Sequence, residues 1–216
     1  MSAPDLPNLA GIILAGGLSR RMGGGDKGLL ELGHKPMLAH VVERLRPQVD
    51  ALAINANGDP QRFAGLGLPV VADTIDGFVG PLAGVLAGMR WAHAEAPHAR
   101  WVASVSADAP FLPTDLVARL AAAVRDRGNA IAIAQSDGEL HSVIGLWPVA
   151  LADDLDAALR AGLRKVLHWT DKHGTVPVPF DMIDLPQARI DPFFNANTPE
   201  EMAEARRVIT LLETDP

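Results

Sequence analysis

A chain of 216 residues, 48% apolar and 21% charged, is one domain's length of globular sequence with enough apolar residues for a sizeable core. It has no cysteine, which excludes disulfides, thiolate metal sites and cysteine nucleophiles, and its seven histidines never recur at i, i+4 spacing, so any metal is expected to be hard and oxygen-bound. A formal net charge of −7 argues against a nucleic-acid partner, and the lack of a membrane-length apolar run or a signal-like start at Met1-Ser2-Ala3-Pro4-Asp5 leads to the expectation of a cytoplasmic protein with no membrane contact.

In chain order, a first strand is predicted over Gly11–Ala15, where Ile12-Ile13-Leu14 leads into a loop holding Gly16, Gly17, Gly23, Gly24 and Gly25. Arg20, Arg21 and Lys27 sit among these glycines, and backbone N–H groups freed of side chains can approach an anion closely. A polyphosphate would explain so much positive charge in an acidic chain. A helix is predicted over Met37–Leu45, strands over Ala51–Asn55 and Val70–Ala72, and a helix over Leu82–Ala94. A strand over Trp101–Ser106 and a helix over Thr114–Arg127, capped by Thr114, come next. Strands over Ala130–Gln135 and His141–Trp147 are joined by Ser136-Asp137-Gly138-Glu139, which reads as a hairpin. Helices over Leu151–Ala161 and Lys165–His173 precede a strand over Val176–Val178, and Pro177–Pro192 reads as irregular. The last helix, Pro199–Leu212, carries a Thr198-x-x-Glu201 capping box, with Met202, Ala205, Ile209 and Leu212 along one face. Alternating strands and helices imply βαβ units: an α/β chain whose sheet is mostly parallel with an antiparallel part.

Three phosphate-binding patterns compete for the glycine-rich loop. A Walker A loop fails, because Lys27 follows Asp26 and precedes Gly28 rather than Ser or Thr. Gly23-x-Gly25-x-x-Gly28 matches a dinucleotide fingerprint in form, but it begins well after the strand, and Asn55 stands where an acidic ribose-binding residue belongs. The third pattern, Leu14-Ala15-Gly16-Gly17-Leu18-Ser19-Arg20-Arg21-Met22-Gly23 through Asp26-Lys27, resembles the signature of nucleotidyltransferases with a Rossmann-like fold. Lys35-Pro36-Met37, Asn55-Ala56-Asn57, Asp73, Gly80-Pro81-Leu82-Ala83-Gly84, Asp108-Ala109-Pro110-Phe111 and Asn195-Ala196-Asn197-Thr198-Pro199-Glu200-Glu201 continue the likeness in order. Within that superfamily the chain is most similar to the molybdenum cofactor guanylyltransferases.

The resemblance implies a three-layer α/β/α Rossmann-like nucleotidyltransferase fold in a single domain spanning residues 1–216. A nucleotide-binding half would cover about 9–112 and a pterin-substrate half about 113–216. It further implies that Leu14, Ala15, Gly16, Lys27, Asn55, Asp73 and Asp108 contact GTP or its metal, with Gly17 in the same loop. The residues agree with this on physical grounds. Arg21 (or Arg20) and Lys27 would offset charge on the triphosphate and the leaving pyrophosphate, although either arginine alone reads equally well as a surface residue. Asp108, expected just past a strand end, is either a capping residue for the helix after Pro113, a role Thr114 already fills, or the outstanding carboxylate for Mg²⁺. Asp73 is either a turn residue or a carboxylate that accepts from guanine N1–H and N2–H₂. Gly80 either only starts a helix or also offers backbone N–H groups to the second substrate. Asn195 and Asn197 either satisfy turn backbone or orient a metal or phosphate. His141 and the tryptophans carry no pattern and read as packing residues.

The expected reaction is GMP transfer from GTP to the phosphate of molybdopterin, with or without molybdenum. An anionic attacker needs no general base, which agrees with the lack of a Ser/His/Asp or paired-acid constellation. A pterin cytidylyltransferase or a sugar-phosphate nucleotidyltransferase is the enzymatic rival, and a GTP-binding regulator without turnover is the rival of another class. Related cytidylyl enzymes tend to read Ala-Ala-Gly where this chain has Ala15-Gly16-Gly17, which favours GTP. A monomer is expected, with cofactor-insertion chaperones or molybdoenzymes as downstream acceptors.

Overall fold

The computed structural model describes residues 8–16, 26–75, 77, 80–185 and 188–214. Strand β1 (Leu9–Leu14) is buried along almost its whole length because both of its faces are covered. Leu9 and Ile13 face one hydrophobic cluster, and Ala10 and Ile12 face another. That alternation is the period-two geometry of a central strand. After it come a short 3-10 turn (Lys27–Leu29), a small hairpin of β2 (Glu31–Leu32) and β3 (Lys35–Pro36), helix α1 (Met37–Leu45) and β4 (Ala51–Asn55). A 3-10 segment (Pro60–Leu66), β5 (Val70–Val71), α2 (Pro81–Glu95), β6 (Trp101–Ser106) and α3 (Leu116–Val124) follow. The remainder is β7 (Ile131–Ser136), β8 (Glu139–Pro148), α4 (Ala152–Arg160), α5 (Val166–Thr170), β9 (Thr175–Phe180), β10 (Ile183–Leu185), β11 (Ala188–Ile190) and α6 (Pro199–Thr214).

Seven strands form one sheet in the order β5-β4-β1-β6-β8-β7-β9. Every neighbouring pair is parallel except the two that involve β8, which runs antiparallel to both β6 and β7. The expected hairpin is its entry: Asp137 (φ 47°) and Gly138 (φ 85°) both take left-handed backbone, the signature of a two-residue type I′ turn. Helices α1 and α3 cover one face of the sheet and α2, α4 and α5 the other, giving the three layers. A third cluster joins Leu32, Met37, Phe111 and Ile190 to the buried side of α6, where Met202, Ala205 and Ile209 lie as their spacing predicts.

Two expectations are corrected. Residues 177–192 are not irregular throughout: among those described, 177–180 complete β9, and β10 pairs antiparallel with β11. The strand expected over Val176–Val178 runs from Thr175 to Phe180, through Pro177 and Pro179: among the described residues β9 is a sheet edge that pairs with β7, where a missing N–H is tolerated. Thr114 is not the cap of α3: the helix begins at Leu116, and the side chain of Gln48 accepts the Val117 N–H at 2.9 Å. The same amide donates to Pro113 O at 2.9 Å, so the helix start is satisfied from a neighbouring segment. Among the described residues no helix is long and apolar enough to cross a membrane.

Candidate functional site

Register brings the ends of three strands level: Leu14 pairs with Asn55 of β4 on one side and with Ser106 of β6 on the other. The bonds continue past the strands, with Ala15 N–H donating to Asn55 O at 2.9 Å and Ala107 N–H to Leu14 O at 3.1 Å. Chain direction away from β1 reverses between β4 and β6, and in an open α/β sheet ligands bind in the crevice at the carboxyl ends beside such a reversal. Leu14, Ala15 and Gly16 line its floor. A Cβ on Gly16 would stand 3.8 Å from Asn55 Oδ1, an ordinary contact. Gly17 and Arg21, along with Ser19, Arg20, Gly23, Gly24 and Gly25, lie outside the described residues.

On one wall, Asn55 is 4% exposed and its Nδ2 donates to Val71 O (3.1 Å) and Asp73 Oδ1 (2.9 Å). Asn57 holds the same aspartate twice, through Nδ2 to Asp73 Oδ2 at 2.8 Å and through Oδ1 to Asp73 N–H at 2.9 Å. Both carboxylate oxygens are thereby aimed, and each keeps acceptor capacity, since an ionised carboxylate offers about four lone-pair sites. Helix α2 closes over this wall. Its N-cap, Gly80, has φ 86°, which favours glycine, and its carbonyl accepts Ala83 N–H at 3.1 Å. Gly80 lies beside the α4–α5 turn: its Cβ position is 4.0 Å from Arg164 O. That turn carries Arg164 and Lys165, which with His168 of α5 line a shallow groove of about 480 Å³.

On the opposite wall, Lys27 Nζ donates to Asn197 Oδ1 at 2.6 Å across 170 residues of sequence. Gly28 lets the Lys27–Leu29 turn sit close on α1 and the end of β6, since a Cβ there would meet Leu38 Cβ at 3.2 Å and Ala107 Cβ at 3.5 Å. Asp108 accepts a short hydrogen bond from Ser106 Oγ, and its own carbonyl accepts Ala196 N–H at 3.2 Å. Glu201 holds the strap from behind, accepting from Asn197 N–H (2.6 Å) and Thr198 N–H (2.8 Å), while Thr198 Oγ1 accepts Glu201 N–H at 3.2 Å. The capping box thus fixes the helix start and the Asn-Ala-Asn strap together. Among the described residues nothing pairs with Asn195 Oδ1, which is buried one residue from the contact to Asp108. A carboxylate, an unpaired amide oxygen and no sulfur or imidazole form a hard donor set that suits Mg²⁺. Among the described residues no three His, Asp or Glu side chains cluster as a metal cage, so such an ion would complete its shell from phosphate and water.

Sequence reasoning missed two arrangements. Arg62, in the Pro60–Leu66 segment, lies against Asp26, with Nε 2.5 Å from the carboxylate in ion-pair contact though outside hydrogen-bond alignment. No motif flagged it. His141, read as a packing residue, does pack on Phe193 at 4.7 Å between ring centres, but its Nε2 also bonds Ser136 Oγ at 2.6 Å. Ser136 donates to Asp191 Oδ1 at 2.8 Å, which anchors the start of the Asn-Ala-Asn strap to the β7–β8 hairpin. Burial holds His141 below the usual imidazole range, against the opposing pull of Asp191. Of the tryptophans, Trp147 and Trp169 are buried as expected and stack with ring centres 6.3 Å apart. A cavity of about 390 Å³ lined by Arg90, Arg100, Trp101 and Pro148 opens at the other end of the strands, away from all of these groups.

The profile of the MobA-like NTP transferase domain matches residues 11–176. A protein of Rhodopseudomonas palustris strain BisB5 named molybdenum cofactor guanylyltransferase is 53% identical over 209 residues, 96% of this chain and 97% of that one. A protein of the same name from Bradyrhizobium sp. strain ORS 278 is 48% identical over the full length of both chains. Among solved structures, molybdopterin-guanine dinucleotide biosynthesis protein A from Archaeoglobus fulgidus superposes with a TM-score of 0.70 over 93% of this chain and 98% of that one, at 22% identity. That likeness carries the fold.

Proposed function

The chain belongs to the MobA-like NTP transferase family, and from that premise we propose that it transfers GMP from GTP to the phosphate of molybdopterin, with or without molybdenum. Pyrophosphate leaves, and the product is the guanine dinucleotide form of the molybdenum cofactor. The observation that carries this reading is the meeting of Lys27, Asn197 and Asp108 across the crevice from Asn55 and Asp73. A cation and a carboxylate stand on one side, and an aimed carboxylate on the other. Guanine presents adjacent N1–H and N2–H₂ donors that match the free lone pairs of Asp73, whereas cytosine presents one amine beside two acceptors. This pairing supports GTP over CTP.

The residues up to about 112 hold the nucleotide, with Leu14, Ala15 and Gly16 under it and Gly17 and Arg21 in the loop around its phosphates. The later residues hold the pterin, except that Asn197 reaches across to Lys27. Gly80 and the cationic turn at Arg164 and Lys165 stand where an anionic acceptor can approach. Lys27 fixes the α-phosphate and neutralises charge as the bond to pyrophosphate lengthens. Asp108 and Asn195 would hold Mg²⁺, which supplies further charge neutralisation on the phosphates when bound. No side chain has to take a proton from the attacking phosphate, because it is already an anion at neutral pH. Orientation and electrostatics therefore carry the rate enhancement.

Labelled GTP, Mg²⁺ and molybdopterin provide the test: a guanylyl-labelled pterin with release of pyrophosphate is expected. Product formed only when CTP replaces GTP, or GTP binding without pyrophosphate release, would replace this reading by one of its rivals. In the same assay Lys27→Ala lowers turnover by roughly 10²–10³, the scale of one lost electrostatic stabiliser. Undiminished turnover at saturating GTP removes Lys27 from the mechanism.

A further inference from the structure

We propose that Arg62 is a specificity-positioning residue: it ties the guanine-reading carboxylate of Asp73 to the exit of the glycine-rich loop. This rests on the reading above, in which Asp73 pairs with the base. The guanidinium is committed on three sides. Its Nε faces the Asp26 carboxylate at 2.5 Å, its Nη2 donates to Asn57 O at 2.6 Å, and its Nη1 donates to Asp59 O at 3.2 Å. Its carbon centre lies 4.8 Å from the centre of the Phe63 ring, and Phe63 is itself buried in the core. The backbone allows this approach because Gly58, at φ 86°, leaves open the space where a Cβ would come within 3.0 Å of Nη1.

Asn57, whose carbonyl Arg62 grips, is the residue that holds Asp73 through both its amide nitrogen and its amide oxygen. Asp26 immediately precedes Lys27, and its carbonyl closes the 3-10 turn by accepting Leu29 N–H at 3.0 Å. The result is a continuous path, Asp26–Arg62–Asn57–Asp73–Asn55, running from the phosphate side to the base side. A surface ion pair with nothing else attached contributes little. Here the side chains of Arg62 and Asp26 are only 27% and 20% exposed, and one planar group makes three polar contacts in fixed directions. Lysine provides a point charge without that fork. The polar contacts of Arg62 go to Asp26, Asn57 and Asp59, so it acts on guanine through Asn57 and Asp73.

The test compares direct binding of GTP and of inosine triphosphate, which lacks the 2-amino group, by calorimetry with Mg²⁺ present. Wild type is expected to bind GTP more tightly than inosine triphosphate. Arg62→Ala weakens GTP binding about tenfold, the scale of a lost charge-assisted hydrogen bond, and narrows the ratio between the two nucleotides. Arg62→Lys keeps the charge beside Asp26 but does not restore the ratio. In transfer assays KM for GTP rises more than kcat falls. Melting curves identify any variant that fails to fold, in which case Arg62→Gln takes the place of Arg62→Ala. If wild type binds GTP and the folded variants discriminate as wild type does, the role of Arg62 is overturned while the guanylyl reading stands. A wild type that binds no GTP overturns both.

Discussion

A Cβ on Gly84 would lie 2.2 Å from Asn55 Oδ1 and 2.8 Å from Leu14 Cδ2, so the glycine leaves α2 just enough room to settle on the ends of β1 and β4. Gly84→Ala must therefore push Asn55 away from Asp73 or lift the helix. We expect it to weaken GTP binding in calorimetry and to destabilise the fold by about 1–3 kcal/mol in denaturant melts, as overpacking does. Gly88→Ala, one turn on, meets Ile12 at 2.9 Å instead and lowers stability while leaving GTP affinity near wild type. Equal loss of affinity in both variants would show that helix packing, and not the placement of Asn55, governs the nucleotide. Lys27, Asn55, Asp73, Asp108 and Asn197 were legible at this scale because each ends a strand or sits in an ordered string of motifs. Gly84 stood in such a string without a reason, since its reason is the approach of another element. Arg62 was illegible, because the seven-residue 3-10 segment around it carries no motif and the carboxylate it meets, Asp26, is distant in sequence.

Local chemistry decided which elements could be read in advance. Asp137-Gly138 supplies the left-handed residues that a type I′ turn requires, and Thr198-Pro199 with Glu201 spells a helix start. Gly138→Ala places a Cβ at φ 85° and should cost about 1–2 kcal/mol of unfolding free energy, whereas the same change at Gly65, which has open space around it and no left-handed φ, should not. Matching losses at both positions would remove turn strain as the cause. The strand expected over Val176–Val178 proved longer, reaching Phe180, because the effect of Pro179 depends on whether a strand is central or marginal. The start of α3 was misjudged for a related reason: Gln48, some seventy positions earlier, satisfies the N–H that Thr114 was expected to serve. In both cases the deciding partner lay outside any local window.

At the scale of the molecule, a buried and a half-buried histidine set a pH limit. His40, 7% exposed, bonds Leu32 O through Nε2 at 2.8 Å, and burial lowers its pKa from the usual 6.5. His141 is lowered for the same cause. The unfolded chain binds these protons near pH 6.5 while the folded chain does not, so stability is lost as pH falls below about 6.5 and on through the folded values. Melts at intervals between about pH 7 and pH 5 should show the midpoint falling, and His40→Gln, which keeps a donor for Leu32 O, should flatten that slope. An unchanged slope would clear His40 of the effect. The α/β class, the βαβ rhythm and the antiparallel part were all visible in the order of apolar runs, but the two strap contacts that complete the crevice were not.

The bond between Lys27 and Asn197 has a consequence for the ribosome. Polypeptides emerge amino end first, and early segments begin to fold while later ones are still being translated. The triphosphate lysine appears at the outset and its amide partner 170 residues later, so a growing intermediate can gather several strands yet hold no finished crevice. Translation stalled before the Asn-Ala-Asn strap should therefore release fragments that consume no nucleotide.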